Sequence, residues 1–289
     1  MTAESAPTPA NAANPANPAN PAELLEIART TALAAAELVR SKRREGVDVA
    51  GLKSSPVDVV TEADKASEAL IRSLLAQARP GDGFFGEETG AGATPDAAAA
   101  TGITWVVDPI DGTVNYLYDI PAYAISIAAV EGGADPGEWT ALAGVVVNPV
   151  LGEVYTAVRG GGAYLGDRRL EVATGKDMSV ALVGTGFGYR AERRAEQASV
   201  VSQLLPRVRD IRRIGSAALD LCSVAAGRLD AYYERGLQPW DHAAGALIAA
   251  EAGAQVAGLS GAPVTDRFAL AAEPALFAQL EPLLVEFGV

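Results

Sequence analysis

Four apolar runs in close succession constrain this chain more than any other feature: 104–107 (TWVV), 122–130 (AYAISIAAV), 140–147 (TALAGVVV) and 153–158 (EVYTAV). Each reads as a strand rich in β-branched and apolar residues. Gly132-Gly133, Asn148-Pro149 and Gly160-Gly161-Gly162 punctuate them as turns. Consecutive strands of this kind predict an antiparallel sheet. Two helices precede them. In the first, Leu24, Leu25, Ile27, Ala28, Ala32, Ala35, Ala36, Leu38 and Val39 recur at helical spacing, and the segment ends in the basic run Arg40–Arg44, which suits a helix C-terminus. The second runs from Glu62 to Gln77 and stops at Pro80-Gly81, with Ala66, Ala69, Leu70, Ser73 and Leu74 as its expected inner face.

Beyond residue 180 the pattern alternates. Strands are expected at 181–184, 210–214, 229–234, 255–258 and 268–272, and helices at 191–205, 216–226, 241–252 and 274–286. Alternation of this kind predicts α/β layering. The fold class is therefore mixed, an α+β half over 23–180 joined to an α/β half over 181–289. The 289 residues, 49% of them hydrophobic, suit one large domain or two intimate ones with a core that needs no staples.

Residues 1–22 carry a repeated Asn-Pro-Ala unit. Each proline removes a backbone donor and pushes its predecessor to extended geometry. With few apolar side chains to offset ordering entropy, the segment reads as a disordered tail. It has neither a basic start nor an apolar stretch, so it is not a secretory signal. No uninterrupted apolar run reaches the roughly 18 residues of a membrane span, and a cytoplasmic protein is expected.

Charge and composition narrow the chemistry. With 23 Lys plus Arg against 36 Asp plus Glu, the net charge is −13, which disfavours nucleic acid and anionic membrane as partners. An anionic ligand would need something other than bulk charge to attract it, and bound cations are the obvious device. The single cysteine, Cys222, excludes an internal disulfide and any cysteine-based zinc cluster. The single histidine, His242, excludes a multi-histidine metal site. Carboxylates remain as the main source of catalytic chemistry.

The most informative segment is Trp105–Thr113, WVVDPIDGT, in which an apolar strand ends and Asp108 follows at once. Pro109 bars Asp108 from helical geometry, so the chain turns sharply and both Asp108 and Asp111 can point into one site. Gly112 permits close backbone approach. Two carboxylates so close do not both stay ionised cheaply without a cation, and Asp oxygens suit a hard ion such as Mg²⁺. The carbonyl of Ile110 is a further candidate ligand. An isolated pair of this spacing is more often a helix cap after a strand. Three further acidic clusters change the balance. Glu87 and Glu88 follow the apolar pair Phe84-Phe85. Thr61 and Asp64 resemble a capping box with Asp in place of Glu. Asp241 follows Trp240 at the start of an Ala/Gly-rich helix. Solvated glutamates and plain capping are the ordinary explanations for each taken singly.

Other features have ordinary readings as well. His242 is a packing or surface residue, and Cys222 a buried core thiol. Gly184–Gly188 lacks the spacing of a dinucleotide loop and fits a loop lining the substrate pocket. Arg190, Arg193 and Arg194 sit on a solvated helix face, with phosphate or partner contact as the alternative.

Taken in order, KSSPVDVVTEAD (53–64), GEE (86–88), WVVDPIDGTVNY (105–116) and WDHAAGALIAAEAGA (240–254) resemble the inositol monophosphatase family. The resemblance implies a five-layer αβαβα sandwich of the inositol monophosphatase and sugar phosphatase type. It also implies a Mg²⁺-dependent, lithium-sensitive phosphomonoesterase holding two or three ions, with Mn²⁺ as a substitute. Metal ligation would fall to Glu87, Asp108, the carbonyl of Ile110, Asp111 and Asp241. Asp64 with Thr113 would orient or deprotonate the attacking water. The backbone of Gly112 and Thr113 would hold the phosphate, Glu234 a ring hydroxyl, and Gly215-Ser216-Ala217 would form a substrate-side loop, with Asp241 also near the substrate. Departures from the family pattern are Val114, Tyr116 and His242, none at a proposed ligand.

The expected substrate is a small phosphomonoester, inositol 1-phosphate first. Histidinol phosphate, fructose 1,6-bisphosphate and adenosine bisphosphate are rivals with the same chemistry. Homodimers are the family habit. A different class of function, binding the transcription machinery, is the alternative to catalysis.

Overall fold

The computed structural model describes residues 20–47, 49–52, 59–88, 101–132 and 136–289. Most of the expected tail, like Lys53–Asp58 of the first motif, lies outside them. Helix α1 spans Pro21–Glu45. The Asn20 side chain accepts from the N–H of Ala22 at 3.1 Å, and Pro21 occupies the first turn, where its missing donor costs nothing. Asn20, Pro21 and Ala22, assigned to the tail by the repeat, thus start the helix. α1 buries Leu24, Ala28, Thr31, Ala32, Ala35, Ala36 and Val39, close to the expected stripe.

Strands β1 (Val49–Leu52) and β2 (Val59–Thr61) form a small antiparallel pair that feeds α2 (Glu62–Ala78). The inner face of α2 differs from the one expected. Ala63, Asp64, Ser67, Glu68, Ile71 and Leu75 are buried, whereas Ala69 and Ser73 are exposed and Ala66, Leu70 and Leu74 only partly covered. Polar contacts set the rotation. Ser67 Oγ donates to the carbonyl of Pro109 at 3.1 Å, and Glu68 Oε2 accepts from the N–H of Glu88 at 2.7 Å. An apolar count could not see a buried face that carries two acids and a hydroxyl.

Among the described residues the large sheet has seven strands in sequential order: β3 (Gly83–Gly86), β4 (Ile103–Asp111), β5 (Ala124–Glu131), β6 (Thr140–Asn148), β7 (Glu153–Val158), β8 (Gly162–Leu165) and β9 (Arg168–Arg169). Pairing is antiparallel, as expected, except between β3 and β4, which run parallel. The short strands β1, β2, β3, β8 and β9 carry too few apolar residues for a pattern to show. Gly162, read as part of a turn, instead opens β8 opposite Val158. Helix α3 (Thr113–Tyr118) follows β4.

The second half contributes β10 (Leu182–Thr185), α4 (Ala191–Leu204), β11 (Asp210–Arg212), α5 (Ala217–Ala225), β12 (Ala231–Glu234), α6 (Pro239–Glu251), β13 (Gln255–Ala257), β14 (Ala269–Ala272) and α7 (Pro274–Glu286). Its five-stranded sheet has the order β11-β10-β12-β14-β13. β10 runs parallel to β11 and β12, whereas β14 is antiparallel to β12 and β13. Parallel neighbours need a helical crossover, which α4 and α5 provide, but β13 and β14 are joined by a loop and pair antiparallel.

The apolar clusters define five layers. Trp105, Val107, Ile125, Ile127, Val145 and Val147 face α1 and α2. The alternate residues Val106, Ala128, Val130 and Val146 face α5 and α6. Both faces of the sheet are covered, which explains strands that read as nearly unbroken apolar runs although they are antiparallel. The other side of α5 and α6 meets Tyr232, Ala269 and Ala271 of the second sheet, and α4 and α7 close that sheet from outside. The αβαβα sandwich expected from the resemblance is the architecture observed.

The middle helices pack closely against the large sheet and against each other, and their small residues follow from that. A Cβ on Gly144 of β6 would lie 3.1 Å from the Cα of Ala244 in α6, and one on Gly245 of α6 would lie 2.9 Å from the Leu221 side chain of α5. Gly144→Val is expected to lower stability by about 1–3 kcal/mol through overpacking, read as a lower urea midpoint. Deleting residues through Ala22 is expected to cost about 1 kcal/mol more than a deletion that ends before Asn20, because the cap is lost. Thermal melts of the two truncations check this.

Candidate active site

The site begins with an irregularity in β4. Asp108 pairs with Ser126 and Asp111 with Ala124, so three steps on β4 oppose two on β5. Residues three apart on a regular strand point to opposite faces. The one extra residue, at Pro109-Ile110, turns Asp108 and Asp111 to the same side. Proline, with no N–H to give to a ladder, is suited to such a bulge. The N–H of Ile110 donates to Asp108 Oδ1 at 3.0 Å. Gly112 then takes φ +95°, and a Cβ there would lie 3.0 Å from the Ala122 carbonyl oxygen and 3.1 Å from that of Gly215.

Asp241 arrives from the other side. α6 starts at Pro239, two residues before the expected position, so Asp241 sits within its first turn, and its Oδ2 accepts from the N–H of Gln238 at 2.7 Å. The preceding Trp240 is buried edge-on to Phe85, with ring centroids 5.3 Å apart, and its carbonyl accepts from Ser126 Oγ at 3.4 Å. These contacts fix where Asp241 points. Asp108, Asp111 and Asp241 each place a carboxylate oxygen within 4.8 Å of the others. Glu87 joins them from the end of β3. Its N–H donates to the carbonyl of Val107 at 3.2 Å, continuing the parallel pairing, and its carboxylate acts on Asp108 through charge and a hydrogen bond.

The electrostatics follow from crowding in a low dielectric. Burial raises the Asp108 carboxyl well above its ordinary range, and Glu87, Asp111 and Asp241 raise it further. Asp241 is raised by burial, then by Asp111 and Glu87. Asp111 is pushed up to about 6 by burial, against the pull of Ser216, the backbone of α5 and Arg213. Its Oδ2 accepts from Ser216 Oγ at 2.6 Å and from the N–H of Ala218 at 2.7 Å. An all-oxygen donor set of crowded carboxylates matches a hard divalent cation, which would remove the mutual repulsion.

Beside this cluster lies a second device. Thr61 and Asp64 form the expected capping box, in which Asp64 Oδ2 accepts from the N–H of Thr61 at 2.7 Å. The hydroxyl of Thr113 stands 3.1 Å from Asp64 Oδ1 and 3.1 Å from the carbonyl of Ile110. The capping and site readings of Asp64 therefore coexist. The Ile110 carbonyl is within reach of the Thr113 hydroxyl, in the bulge between the two aspartates.

The remaining predicted residues fall around the rim. Ser216 caps α5, with its Oγ accepting from the N–H of Leu219 at 3.3 Å, and it belongs to the Asp111 environment as well as to the expected substrate loop. Gly215 has φ +95°, with Arg213 and Asn115 packed where a side chain would stand. Ala217 opens α5. Glu234 ends β12, partly buried; burial pushes it up to about 7 against the Tyr232 hydrogen bond and the Arg213 charge. A Cβ on Gly186 would lie 1.9 Å from Glu234 Oε2, so the 184–188 segment runs beside the Glu234 carboxylate. His242 is buried, which settles between its packing and surface readings, and burial pushes it down to about 4. Cys222 is a buried thiol as expected. Sequence reasoning missed the hold of Ser216 and Ala218 on Asp111, and the buried Asp220 one turn further along α5. An acid inside an otherwise apolar helix was the available signal for Asp220.

Comparison with known proteins identifies the family. The model of the inositol monophosphatase family matches residues 20–284. The chain belongs to the inositol monophosphatase family. A curated relative from Mycobacterium tuberculosis, inositol-1-monophosphatase SuhB, is 52% identical over 246 residues, 81% of this chain and 83% of its own. A relative from Xylella fastidiosa, named Nus factor SuhB, is 42% identical over 212 residues, 73% of each chain. The solved structure of Mycobacterium tuberculosis SuhB superposes with a TM-score of 0.76 at 46% identity, covering 93% of this chain and 98% of that one. Membership of the inositol monophosphatase family makes this chain a phosphatase, and metal dependence is a property of the family. Among the described residues, no helix is long and apolar enough to cross a membrane.

Buried carboxylates this close repel one another when they are ionised. At pH 8, Asp108→Asn in chelator-treated protein is expected to melt about 2–4 °C above the wild type, for roughly 1 kcal/mol of relieved repulsion. The same variant is expected to lose most of the rise in Tm that a divalent cation gives the wild type. Differential scanning calorimetry with and without the cation reads both effects.

Proposed function

We propose that this chain is a Mg²⁺-dependent phosphomonoesterase that hydrolyses inositol 1-phosphate to inositol and phosphate. The observation that carries this reading is the convergence of Asp108, Asp111 and Asp241, with Glu87 beside them, next to the Thr113–Asp64 pair. Glu87, Asp108, Asp111, Asp241 and the Ile110 carbonyl would hold the ions, two or three in number, with Mn²⁺ able to replace Mg²⁺. The bound ion would lower the pKa of a water and draw charge from the phosphate oxygens. It would also let an acidic chain attract an anion.

The chain's own residues supply position. Thr113 Oγ1, when it donates to Asp64 Oδ1, turns a lone pair toward an incoming water. Asp64, fully buried and tied to Thr61, is the acceptor at the end of that line. The water attacks phosphorus in line with the leaving oxygen, with no covalent phosphoenzyme. Proximity and charge placement of this kind account for most of the acceleration in phosphoryl transfer. The backbone of Gly112 and Thr113 faces the phosphate, whereas Gly215-Ser216-Ala217 and Glu234 stand on the side of the leaving alcohol. Glu234, partly exposed at a strand end, accepts from a ring hydroxyl. Asp241, as a ligand of the ions, would also stand near the substrate. Li⁺, which can compete for the same oxygen donors, is the expected inhibitor.

A homodimer in the cytoplasm completes the proposal. Tyr118, Ile120, Val150 and Leu151 are exposed, and the hydrogen bond from Asn148 Nδ2 to the Pro121 carbonyl, 3.1 Å, draws their two turns together. A second reading, contact with the transcription machinery, has support in relatives named Nus factor SuhB. The full set of carboxylates favours catalysis, because binding alone does not require it.

Phosphate release is expected from inositol 1-phosphate only with Mg²⁺ or its substitute Mn²⁺ present, at a higher kcat/KM than from histidinol phosphate. Asp111→Asn is expected to cut turnover by at least about 10²-fold while the far-UV circular dichroism stays that of the wild type. Wild-type turnover by the variant would refute the assignment. Retention of a captured transcription factor by the inactive variant would support the second reading.

A further inference from the structure

Tyr232 and Glu234 lie two residues apart on β12, so both side chains leave the same face of the sheet. Tyr232 is fully buried in the apolar cluster with Leu221, Val224 and Leu229. Its hydroxyl donates to Glu234 Oε2 at 2.5 Å. No water reaches a phenol so placed, and the partner it has is the carboxylate.

The neighbouring strand is shaped around this pair. Gly184 stands in register with Tyr232, and a Cβ there would lie 3.3 Å from the Tyr232 ring and 2.7 Å from Leu229. A Cβ on Gly186 would lie 1.9 Å from Glu234 Oε2. Two glycines, one under each side chain, leave the space that the phenol and the carboxylate occupy. Asp220 closes the far side from α5. It is 1% exposed, its Oδ1 has no hydrogen-bond partner among the described residues, and that oxygen lies 3.4 Å from the position of a Gly184 Cβ. An acid there disfavours any swing of Glu234 back toward the helix.

We propose that Tyr232 is a positioning residue for substrate selection, holding Glu234 by one oxygen so that the other is presented to a hydroxyl of the leaving alcohol. The inference rests on the phosphomonoesterase reading and deepens it. The favoured class of substrate is a polyol monophosphate, with a hydroxyl near the ester, over a phosphate ester of an alcohol without one. A carboxylate anchored through Oε2 loses less freedom when the hydroxyl arrives, and the gain falls on binding rather than on the chemical step.

The test compares inositol 1-phosphate with p-nitrophenyl phosphate, whose leaving group carries no further hydroxyl. In Tyr232→Phe the ratio of the two kcat/KM values, inositol ester over aryl ester, is expected to fall about tenfold, with the change in KM. Glu234→Gln is expected to shift the ratio in the same direction, and the double variant to go little beyond the stronger single one, because the two residues act as a unit. Gly186→Ala, which leaves the phenol intact and displaces the carboxylate, is expected to give the same shift and serves if Tyr232→Phe does not fold. An unchanged ratio, or losses that simply add in the double variant, would overturn the inference while leaving the phosphomonoesterase reading in place. A wild type that releases phosphate from neither ester would sink that reading and the inference with it.

Discussion

Bringing carboxylates out of water to within 4.8 Å of one another is the demand around which this fold is arranged. Each ion carries a desolvation penalty of several kcal/mol, and like charges add to it. The chain answers with donors from separate elements. The N–H of Ile110 serves Asp108, Ser216 Oγ and the N–H of Ala218 serve Asp111, and the N–H of Gln238 serves Asp241. These donors offset part of the cost, and a cation among the carboxylates would supply the rest. Because the donors belong to β4, α5 and α6, the acids become tolerable only once the middle layer has packed against the large sheet.

That packing explains why helices so poor in large side chains sit at the centre of the molecule. α5 and α6 touch both sheets, so they cannot carry bulky residues where backbones approach, and Gly144 opposite Ala244 marks one such approach. The positions of Asp241 and of the Asp111 donors are therefore set by helix-to-sheet distance, and the Ala/Gly run after Trp240 is part of the site's construction. The ring of Trp240 against Phe85 ties the same helix to β3, the strand that delivers Glu87.

Much of this was legible in the sequence wherever a periodic apolar pattern was long enough to show. The strands β4 to β7, the helix α1 and the alternation after residue 180 are of that kind, and the DPIDGT element with the later Trp-Asp led to the family. The missed features share a physical cause. The one-residue bulge in β4 is a matter of register between two strands, and register is not written in either strand alone. The buried face of α2 is polar because it borders the site, so Asp64, Ser67 and Glu68 replace the leucines that periodicity selects. Ser216 bonds to Asp111 across a separation of 105 residues, a relation invisible to local spacing.

Two of the site's acids also show why the structural and chemical readings of a motif need not compete. Asp64 and Asp241 each stand in the first turn of a helix and accept a hydrogen bond from the residue three places earlier. At that position the helix dipole favours negative charge and the capping bond fixes the rotamer. The same two effects suit a carboxylate to a site, because the capping bond holds it in place and the dipole offsets part of the cost of its buried charge. A signal that starts a helix can thus deliver a charged group to a site without added strain. The acids at such helix starts therefore have to be judged by what converges on them from elsewhere in the chain, such as the Thr113 hydroxyl at Asp64 and the two β4 aspartates at Asp241.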